Sequence, residues 1–190
     1  GAYLKECVES LLHEETHNIG KIIIVDNNSS DESINILPKN KLIKFKKKKK
    51  NHGFGKACNI GAKYSNEKYL LFLNPDTRVF RNTIGKSLEF MEKSENQKIA
   101  ISGVQMIDAS KNVVKSCSYF PTASRFLFKS TGLDNFIKNR GLLMKDFDHT
   151  NSILVDQIIG AFFLIRAEAF FKLNGFDERF FLYFYDVDLF

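Results

Sequence analysis

The sequence predicts an α/β fold in which helices flank a mainly parallel central sheet. Two apolar runs, 21–25 and 69–73, show no polar alternation, which is typical of strands buried on both faces of a parallel sheet. Segments with helical spacing alternate with strands through the first half of the chain, as right-handed βαβ connections require. With 190 residues, 44% of them hydrophobic and 26% charged, the chain is predicted to form a single domain over 1–190.

The first half of the chain supplies the alternating elements. Leucine and valine at helical spacing predict an amphipathic helix over about 2–15, and the β-branched run 21–25 predicts a buried strand. Ser29 or Ser30 can cap a short helix that ends near Leu37. The next elements are predicted in the order strand 41–45, helix 53–64, strand 69–73 and helix 82–96.

The second half of the chain is less regular. Strands are predicted over 99–107 and 113–119, on either side of the turn-rich residues 108–112. Periodicity is weak over 120–151, and no element is predicted there. The last predicted elements are strands 153–159 and 161–165 and helix 168–173.

Composition excludes several classes of protein. No apolar stretch approaches the roughly 20 residues that a membrane-spanning helix needs. The three cysteines are scattered, which fits a reducing compartment better than a disulfide framework or a zinc site. A cytoplasmic location is therefore predicted.

The formal net charge of +6 comes largely from the lysine run Lys44 to Lys50, in which every residue except Phe45 is lysine. One interpretation is a solvated loop. The alternatives are peripheral contact with an anionic membrane, at its inner face, or steering of a phosphorylated substrate. Nucleic acid is not an expected partner, because no arginines accompany the lysines and the rest of the chain is close to charge-balanced.

Two predicted strands each lead to a carboxylate. Run 21–25 leads directly to Asp26, and run 69–73 is followed by Asn74, Pro75 and Asp76. In open α/β sheets, ligands bind at the carboxyl ends of the strands, so both carboxylates are expected at one edge of the sheet. Such groups can accept from a ribose or base and can hold Mg²⁺ or Mn²⁺. The alternatives are a turn aspartate after proline and an Asx turn or helix cap at Asp26.

Four acids lie among aromatic residues near the end of the chain, at Asp177, Glu178, Asp186 and Asp188. Burial near aromatic rings raises a carboxyl pKa and suits the group to abstract a proton. The alternative is that these acids cap a turn and open a terminal helix.

Five segments occur in the order found in inverting glycosyltransferases of family 2, and together they resemble the rhamnosyltransferase-like branch of that family. The resemblance extends over nearly the whole chain and implies a GT-A fold. The segments are Val25 to Asp31, Asn51 to Gly61, Leu73 to Asp76, Gly160 to Arg166 and Gly175 to Asp188.

The resemblance also implies roles for individual residues. The nucleotide-sugar-binding residues are Asp26, Asn28, Gly53, Gly55, Asn59 and Asn74. Asp76 is similar to the last acid of a DXD-type metal motif, which would hold Mg²⁺ or Mn²⁺, while Asn74 replaces the first acid. Asp186 matches the general base that deprotonates the acceptor hydroxyl. The acceptor-side residues are Gly160, Arg166 and Asp188.

The implied function is transfer of a sugar from a dTDP- or UDP-linked donor to a glycan or lipid-linked glycan, with inversion, in surface polysaccharide or glycoconjugate synthesis. Tyr185 departs from the family pattern, because an acid normally precedes the base. The alternative is therefore a catalytically degenerate nucleotide-sugar-binding or membrane-surface module. The first strand of the family would precede Gly1, and further elements would follow Phe190, so an incomplete catalytic domain is expected.

Overall fold

The structure is a computed structural model that describes residues 1–13, 16–137, 140–182 and 189. The α-helices are α1 (Ala2–His13), α2 (Phe54–Ala62), α3 (Thr83–Glu92), α4 (Ala123–Ser130) and α5 (Ala167–Lys172). The strands are β1 (Ile22–Asp26), β2 (Ile43–Lys47), β3 (Tyr69–Leu73), β4 (Ile101–Ser102), β5 (Met106–Ile107), β6 (Val113–Val114), β7 (Cys117–Ser118), β8 (Gln157–Ile158) and β9 (Phe162–Arg166). Short 3-10 helices occupy Thr16–Asn18, Ser94–Asn96 and Leu133–Asn135. The chain divides into two compact units, 1–102 with 160–189 and 103–159.

In the first unit, β1 and β2 pair in parallel, with Asp26 opposite Lys47. A parallel pair needs a crossover connection, which the intervening residues supply. This connection contains turns over 31–37 in place of the predicted short helix. The backbone N–H of Ser33 donates to Asp31 Oδ1 at 3.2 Å, so the Asp31 carboxylate closes a local turn.

The second sheet of this unit has β9 at its centre, antiparallel to both β3 and β4. Parallel pairing is thus confirmed for β1 and β2, whereas the neighbours in the second sheet run in opposite directions. An apolar run reports that a strand is buried but not its direction, so the sequence could not distinguish these pairings. Residues Phe162 to Ile165 are all buried, as expected for a central strand.

Aromatic side chains form the core on one side of this sheet. Phe72 packs against Phe170 and Phe176, with ring centroids 4.9 Å apart in each pair. Phe163 completes the cluster at 5.9 Å from Phe176. Such pairs contribute about 0.5–1.5 kcal/mol each beyond their buried area. The cluster therefore fixes β3, β9, α5 and the segment that begins at Phe176.

A second hydrophobic cluster joins α1 to strands of both sheets. Val8 and Leu11 of α1 pack with Ile22 and Ile43, and partly buried Leu71 and Leu73 of β3 join the same cluster. The apolar face of α1, predicted from its periodicity, is therefore the face that is buried.

The second unit, 103–159, contains two short antiparallel pairs, β5 with β6 and β7 with β8. Buried His149 supports it by accepting from the backbone N–H of Ser116 at Nε2, over 3.1 Å. Its φ of 62° lies in the left-handed region.

Most predicted elements of the second half are shorter in the structure. The strand expected over 99–107 is divided into β4 and β5, and the one expected over 153–159 is reduced to β8. Leu154 is 86% exposed, so the apolar residues before β8 do not form a buried strand. Among the described residues, no helix combines the length and the apolar character needed to cross a membrane.

Candidate functional site at the strand ends

Asp26 is the last residue of β1, and its two carboxylate oxygens have different environments. Oδ1 accepts the backbone N–H of Ser29 at 2.8 Å, which forms the turn that the sequence suggested as an alternative role. Oδ2 is buried and has no hydrogen-bond partner among the described residues, and the Lys47 amine lies 4.0 Å from it. An unsatisfied buried carboxylate oxygen is costly, so this atom is suited to accept a hydrogen bond from a ligand.

The loop after Asp26 is joined to the start of α2 by side-chain amides. Asn27 donates from Nδ2 to Asn51 Oδ1 at 2.9 Å and to the Gly53 carbonyl at 3.0 Å. Its Oδ1 accepts the backbone N–H of His52 at 3.0 Å. Exposed Asn28 follows with a φ of 73°. The structure therefore brings the predicted residues Asp26, Asn28 and Gly53 to one loop cluster.

Gly53 is required where the chain approaches itself closely. Its φ is 84°, and a Cβ atom there would lie 2.4 Å from the carbonyl oxygen of Phe181. That same carbonyl accepts the backbone N–H of Phe54 at 3.1 Å. Gly55 is buried on the same helix, and a Cβ on Gly61 would touch Val25 at 3.4 Å. The small residues thus pack α2 against β1 and the segment at Phe181.

Asn59, for which a nucleotide contact is predicted, bonds in the structure to the backbone of Phe176. Its Nδ2 donates to the Phe176 carbonyl at 2.8 Å, and its Oδ1 accepts the Phe176 N–H at 2.9 Å. Nδ2 also lies 3.3 Å from Glu178 Oε1. Because these protein groups use both amide ends, Asn59 holds the segment that leads to the predicted base.

A salt bridge supports the same contact. The Lys56 amine lies 2.8 Å from Glu178 Oε2, and its hydrogen bond lowers the pKa of the Glu178 carboxyl. Nearby His52 has a lowered pKa because it loses hydration and faces the charges of Lys50, Lys56 and Lys48. The cluster after β1 is therefore strongly cationic.

Asp76 lies on an exposed turn just past β3. The Asn74 N–H donates to the Ala161 carbonyl at 3.1 Å, and the Asn74 carbonyl accepts the Thr77 N–H at 3.1 Å. The Asp76 side chain has no hydrogen-bond or ion-pair partner within the described part of the chain. A rigid turn thus presents a carboxylate that is available to a ligand.

Helix α1 fixes this turn from one side. The Cys7 thiol lies 3.7 Å from the Asn74 carbonyl, and Ser10 Oγ accepts the Val79 N–H at 3.0 Å. Burial, followed by the charge of Asp76, raises the pKa of the Cys7 thiol to about 11. Cys7 is therefore a neutral packing residue, not a nucleophile.

Of the predicted acceptor-side residues, Gly160 lies beside this turn and Arg166 does not. Gly160 is buried next to Ala161, which bonds to Asn74. Arg166 pairs with Tyr69 at the opposite end of β3 from Leu73. Its guanidinium donates to Tyr69 Oη and to three carbonyls, those of Ile99, Met91 and Asn96. These bonds hold Arg166 within the fold, and its acceptor-side role stays a prediction.

The remaining predicted site residues, Asp186 and Asp188, lie outside the described residues, as does Tyr185. Asp177 is described and binds Arg179 through its carboxylate, which lowers its pKa. It thus serves the turn expected as the alternative.

The two strand-end carboxylates belong to different hydrogen-bonded sheets, because β1 pairs only with β2 and β3 only with β9 among the described strands. The expectation of one shared sheet edge is not met. Within the described residues, no group of three or more His, Cys, Asp or Glu side chains could hold a metal. Asp76 alone still suits Mg²⁺ or Mn²⁺, because such ions bind through one or two carboxylates together with substrate phosphates.

Several site residues were missed at the level of sequence. Asn27 and Asn51 were not singled out, although asparagines beside a strand end commonly bond to loop backbones. Lys47 was placed in a charge run, but its register opposite Asp26 could be known only from the strand pairing.

Carboxylates at the ends of strands are typical of α/β proteins that bind a ligand at those strand ends. Residues 1–171 match the family model described as glycosyl transferase family 2. The chain belongs to this family.

Two curated relatives show the range of similar proteins. Rhamnosyltransferase WbbL of Escherichia coli (strain K12) is 30% identical over 148 residues, which is 73% of this chain and 53% of WbbL. The minor teichoic acid biosynthesis protein GgaB of Bacillus subtilis (strain 168) is 33% identical over 102 residues, which is 50% of this chain and 11% of GgaB. The chain thus spans about half the length of WbbL.

Solved structures show the fold. S. aureus TarS 1-349 in complex with UDP aligns with a TM-score of 0.65 at 16% identity, over 98% of this chain and 49% of that chain. GalNAc-T7 with UDP, GalNAc and Mn²⁺ aligns with a TM-score of 0.61 at 14% identity, over 96% of this chain and 35% of that chain. The predicted GT-A α/β fold is confirmed. The family match does not favour the alternative of a non-catalytic module.

Proposed function

We propose that this protein transfers a sugar from a nucleotide-diphospho donor to an acceptor hydroxyl, with inversion at the anomeric carbon. The observation that carries the proposal is the buried, unsatisfied Oδ2 of Asp26, which can accept a hydrogen bond from the base or ribose of the donor. Membership of glycosyl transferase family 2 supports the same reaction class.

The donor site consists of the Asp26 loop, the start of α2 and the Asp76 turn. Asn28, Gly53 and Gly55 line the nucleoside side, and Asn74 holds the turn at the diphosphate side. Asp76 is the residue that would hold Mg²⁺ or Mn²⁺. When bound, the cation supplies Lewis-acid neutralisation of the leaving diphosphate.

The chemical step requires a base on the acceptor side. Asp186 accepts the proton of the acceptor hydroxyl while the oxygen bonds to the anomeric carbon, and the bond from that carbon to the diphosphate oxygen breaks. Asp188 and Gly160 are the residues that we assign to the acceptor side. Asn59 holds the backbone at Phe176, ten residues before Asp186 in the sequence.

The names of the similar proteins suggest the finer specificity. WbbL is a rhamnosyltransferase, which supports a dTDP-linked donor, and the TarS structure holds UDP, which supports a UDP-linked one. GgaB is named a minor teichoic acid biosynthesis protein, which supports a glycan or lipid-linked glycan of a surface polysaccharide as the proposed acceptor. The proposed sugar transfer would take place in the cytoplasm, at the inner face of the membrane.

Nucleotide titration tests the donor site. We expect UDP or dTDP to bind in calorimetry and Asp26→Asn to weaken binding by about 10- to 100-fold, because a hydrogen bond to a charged group contributes about 1.5–3 kcal/mol. Asp108→Asn changes an exposed turn carboxylate of the second unit and serves as the matched control. Equal affinities for the wild type and Asp26→Asn would refute the nucleoside contact.

Two further variants separate the metal from the base. We expect Asp76→Asn to remove any Mn²⁺ dependence of nucleotide binding, with affinity close to that measured in EDTA. Asp186→Asn should retain nucleotide binding and lose sugar transfer by at least 100-fold, the scale of general-base catalysis. Full transfer activity in Asp186→Asn would assign the base to another residue.

A further inference from the structure

The segment 123–137 of the second unit, here called the α4 surface, combines a formed helix with unusually exposed apolar side chains. Helix α4 has no buried residue. Leu127 is 63% exposed, and Phe136, in the turn that follows, is 85% exposed. Single exposed apolar residues are normal, but several within one short segment mark an interaction site.

The helix is nevertheless well formed at both ends. The Thr122 side chain accepts the backbone N–H of Arg125 at its start, and the Thr131 N–H donates to the Leu127 carbonyl at its end. Gly132 then adopts the left-handed conformation with a φ of 70° that commonly terminates helices. The apolar face is therefore presented by an ordered helix.

The positions on the helix separate apolar from basic side chains. Phe126 and Leu127 share one face with Ala123 and Ser130, since these positions are three and four residues apart. Exposed Lys129 flanks this face. The wider segment 120–145 has five basic residues and one acidic residue, a formal net charge of +4; of these, Lys145 pairs with Asp134 and Arg125 donates to the Gly141 carbonyl.

We propose that the α4 surface docks the protein on an anionic membrane. An apolar helix face flanked by lysine and arginine is the pattern of helices that lie in the membrane interface, with apolar side chains among the lipids and basic ones near the headgroups. A second copy of the chain would bring the same positive charge against itself, so charge complementarity favours anionic lipid over self-association.

The proposal moves the membrane contact away from the lysine run Lys44 to Lys50. Lys46 stacks on the Tyr64 ring at 3.8 Å, and Lys47 lies beside Asp26, so part of that run is engaged within the first unit. The run offers charge and only one large apolar side chain, Phe45. The α4 surface offers both apolar side chains and positive charge, which interfacial binding requires.

Vesicle co-sedimentation tests the proposal. We expect the protein to bind vesicles of phosphatidylcholine with 30% phosphatidylglycerol, to bind pure phosphatidylcholine vesicles at least tenfold more weakly, and to lose affinity as salt rises. The double variant Leu127→Ser, Phe136→Ser should bind at least tenfold more weakly than the wild type, because two apolar side chains no longer enter the interface.

The chain offers a closely matched control. Leu154 is 86% exposed in the same unit, without neighbouring lysine or arginine, and Leu154→Ser should leave vesicle affinity unchanged. Lys129→Gln tests the charge separately and should reduce affinity about fivefold. All these positions are exposed, so the free energy of unfolding should remain that of the wild type.

Three results would overturn the proposal. The first is equal vesicle affinity for the double variant and the wild type. The second is loss of binding when the lysines of Lys44 to Lys50 are replaced by glutamine, with no effect of the α4 variants. The third is absence of vesicle binding together with concentration-dependent self-association that the double variant abolishes in ultracentrifugation, which would make the α4 surface a protein contact.

Discussion

Substitution of Asn59 by alanine tests whether this residue is a clamp or a nucleotide ligand. The Asn59 side chain is buried and bonds to Phe176 as a neighbouring strand would. Its amide donates to the Phe176 carbonyl at 2.8 Å and accepts the Phe176 N–H at 2.9 Å. Alanine removes both of these bonds to the Phe176 backbone. The contact with Glu178 is partly exposed and adds little.

The expected cost follows from the number of bonds. A protein hydrogen bond contributes about 0.5–1.5 kcal/mol net, and an unsatisfied buried partner costs about 1–3 kcal/mol. The loss of two such bonds, together with the truncation of a buried side chain, gives an expected loss of about 2–4 kcal/mol in the free energy of unfolding. Nucleotide affinity, measured where the variant is folded, should change less than threefold.

Urea unfolding monitored by circular dichroism gives the free energy directly. Asn66→Ala, in an exposed loop after α2, is the control and should remain within about 0.5 kcal/mol of the wild type. Unchanged stability of Asn59→Ala together with a tenfold loss of UDP or dTDP affinity would refute the clamp and return Asn59 to the nucleotide site.

Three further predictions concern packing and titration. Gly53→Ala should lower the free energy of unfolding by about 2–4 kcal/mol, because a Cβ there would lie 2.4 Å from a carbonyl oxygen at a φ of 84°. Arg166→Lys should cost about 2–4 kcal/mol, since one amine cannot replace a guanidinium that reaches four acceptors, while the KM for acceptor stays unchanged. Cys7 should make the protein less stable at high pH: burial raises its thiol pKa from 9.0 to about 11, so the unfolded chain ionises first and stability falls between those values.

Controls separate each effect from a general loss of stability. Gly132→Ala has a similar φ of 70° with no atom within 4 Å of the new Cβ, so it should cost only about 1 kcal/mol, and equal losses at both glycines would contradict the steric argument. Arg81→Lys, at an exposed position, should be neutral; a raised acceptor KM in Arg166→Lys without loss of stability would restore the acceptor role. Between pH 8 and 10.5, the free energy of unfolding of Cys7→Ala should fall by about 2 kcal/mol less than that of the wild type. Parallel pH profiles of the two proteins would exclude the Cys7 thiol as the cause of the loss.

Local pattern was sufficient to predict most elements near the site. Strand β3 spans the predicted residues 69–73, and α1 and α2 lie within their predicted ranges. Each has a long apolar run or a clear helical spacing, so burial and periodicity agree. The segment over 120–151 had no such agreement, and α4 within it has no buried residue that could produce a core-facing pattern.

The candidate site was predicted only in part, because hydrogen-bond partners cannot be read from local patterns. A motif places a residue in order along the chain, but bonding partners depend on which segments meet. Asn59 and Arg166 were both assigned to ligands from their motifs, whereas in the structure backbone groups from residues more than 60 positions away use their polar atoms. Asp26 was assigned correctly to the end of a strand, and the structure added that one of its oxygens remains unsatisfied.

The sequence by itself determined the α/β class, the carboxylates at the strand ends and the family, because these depend on local apolar runs and on the order of short motifs. Tertiary structure alone decided the direction of β9, the division of the two carboxylates between two sheets and the clamp that Asn59 forms on Phe176. These features arise from contacts between segments far apart in the chain. Their energies depend on geometry that no local pattern of residues contains.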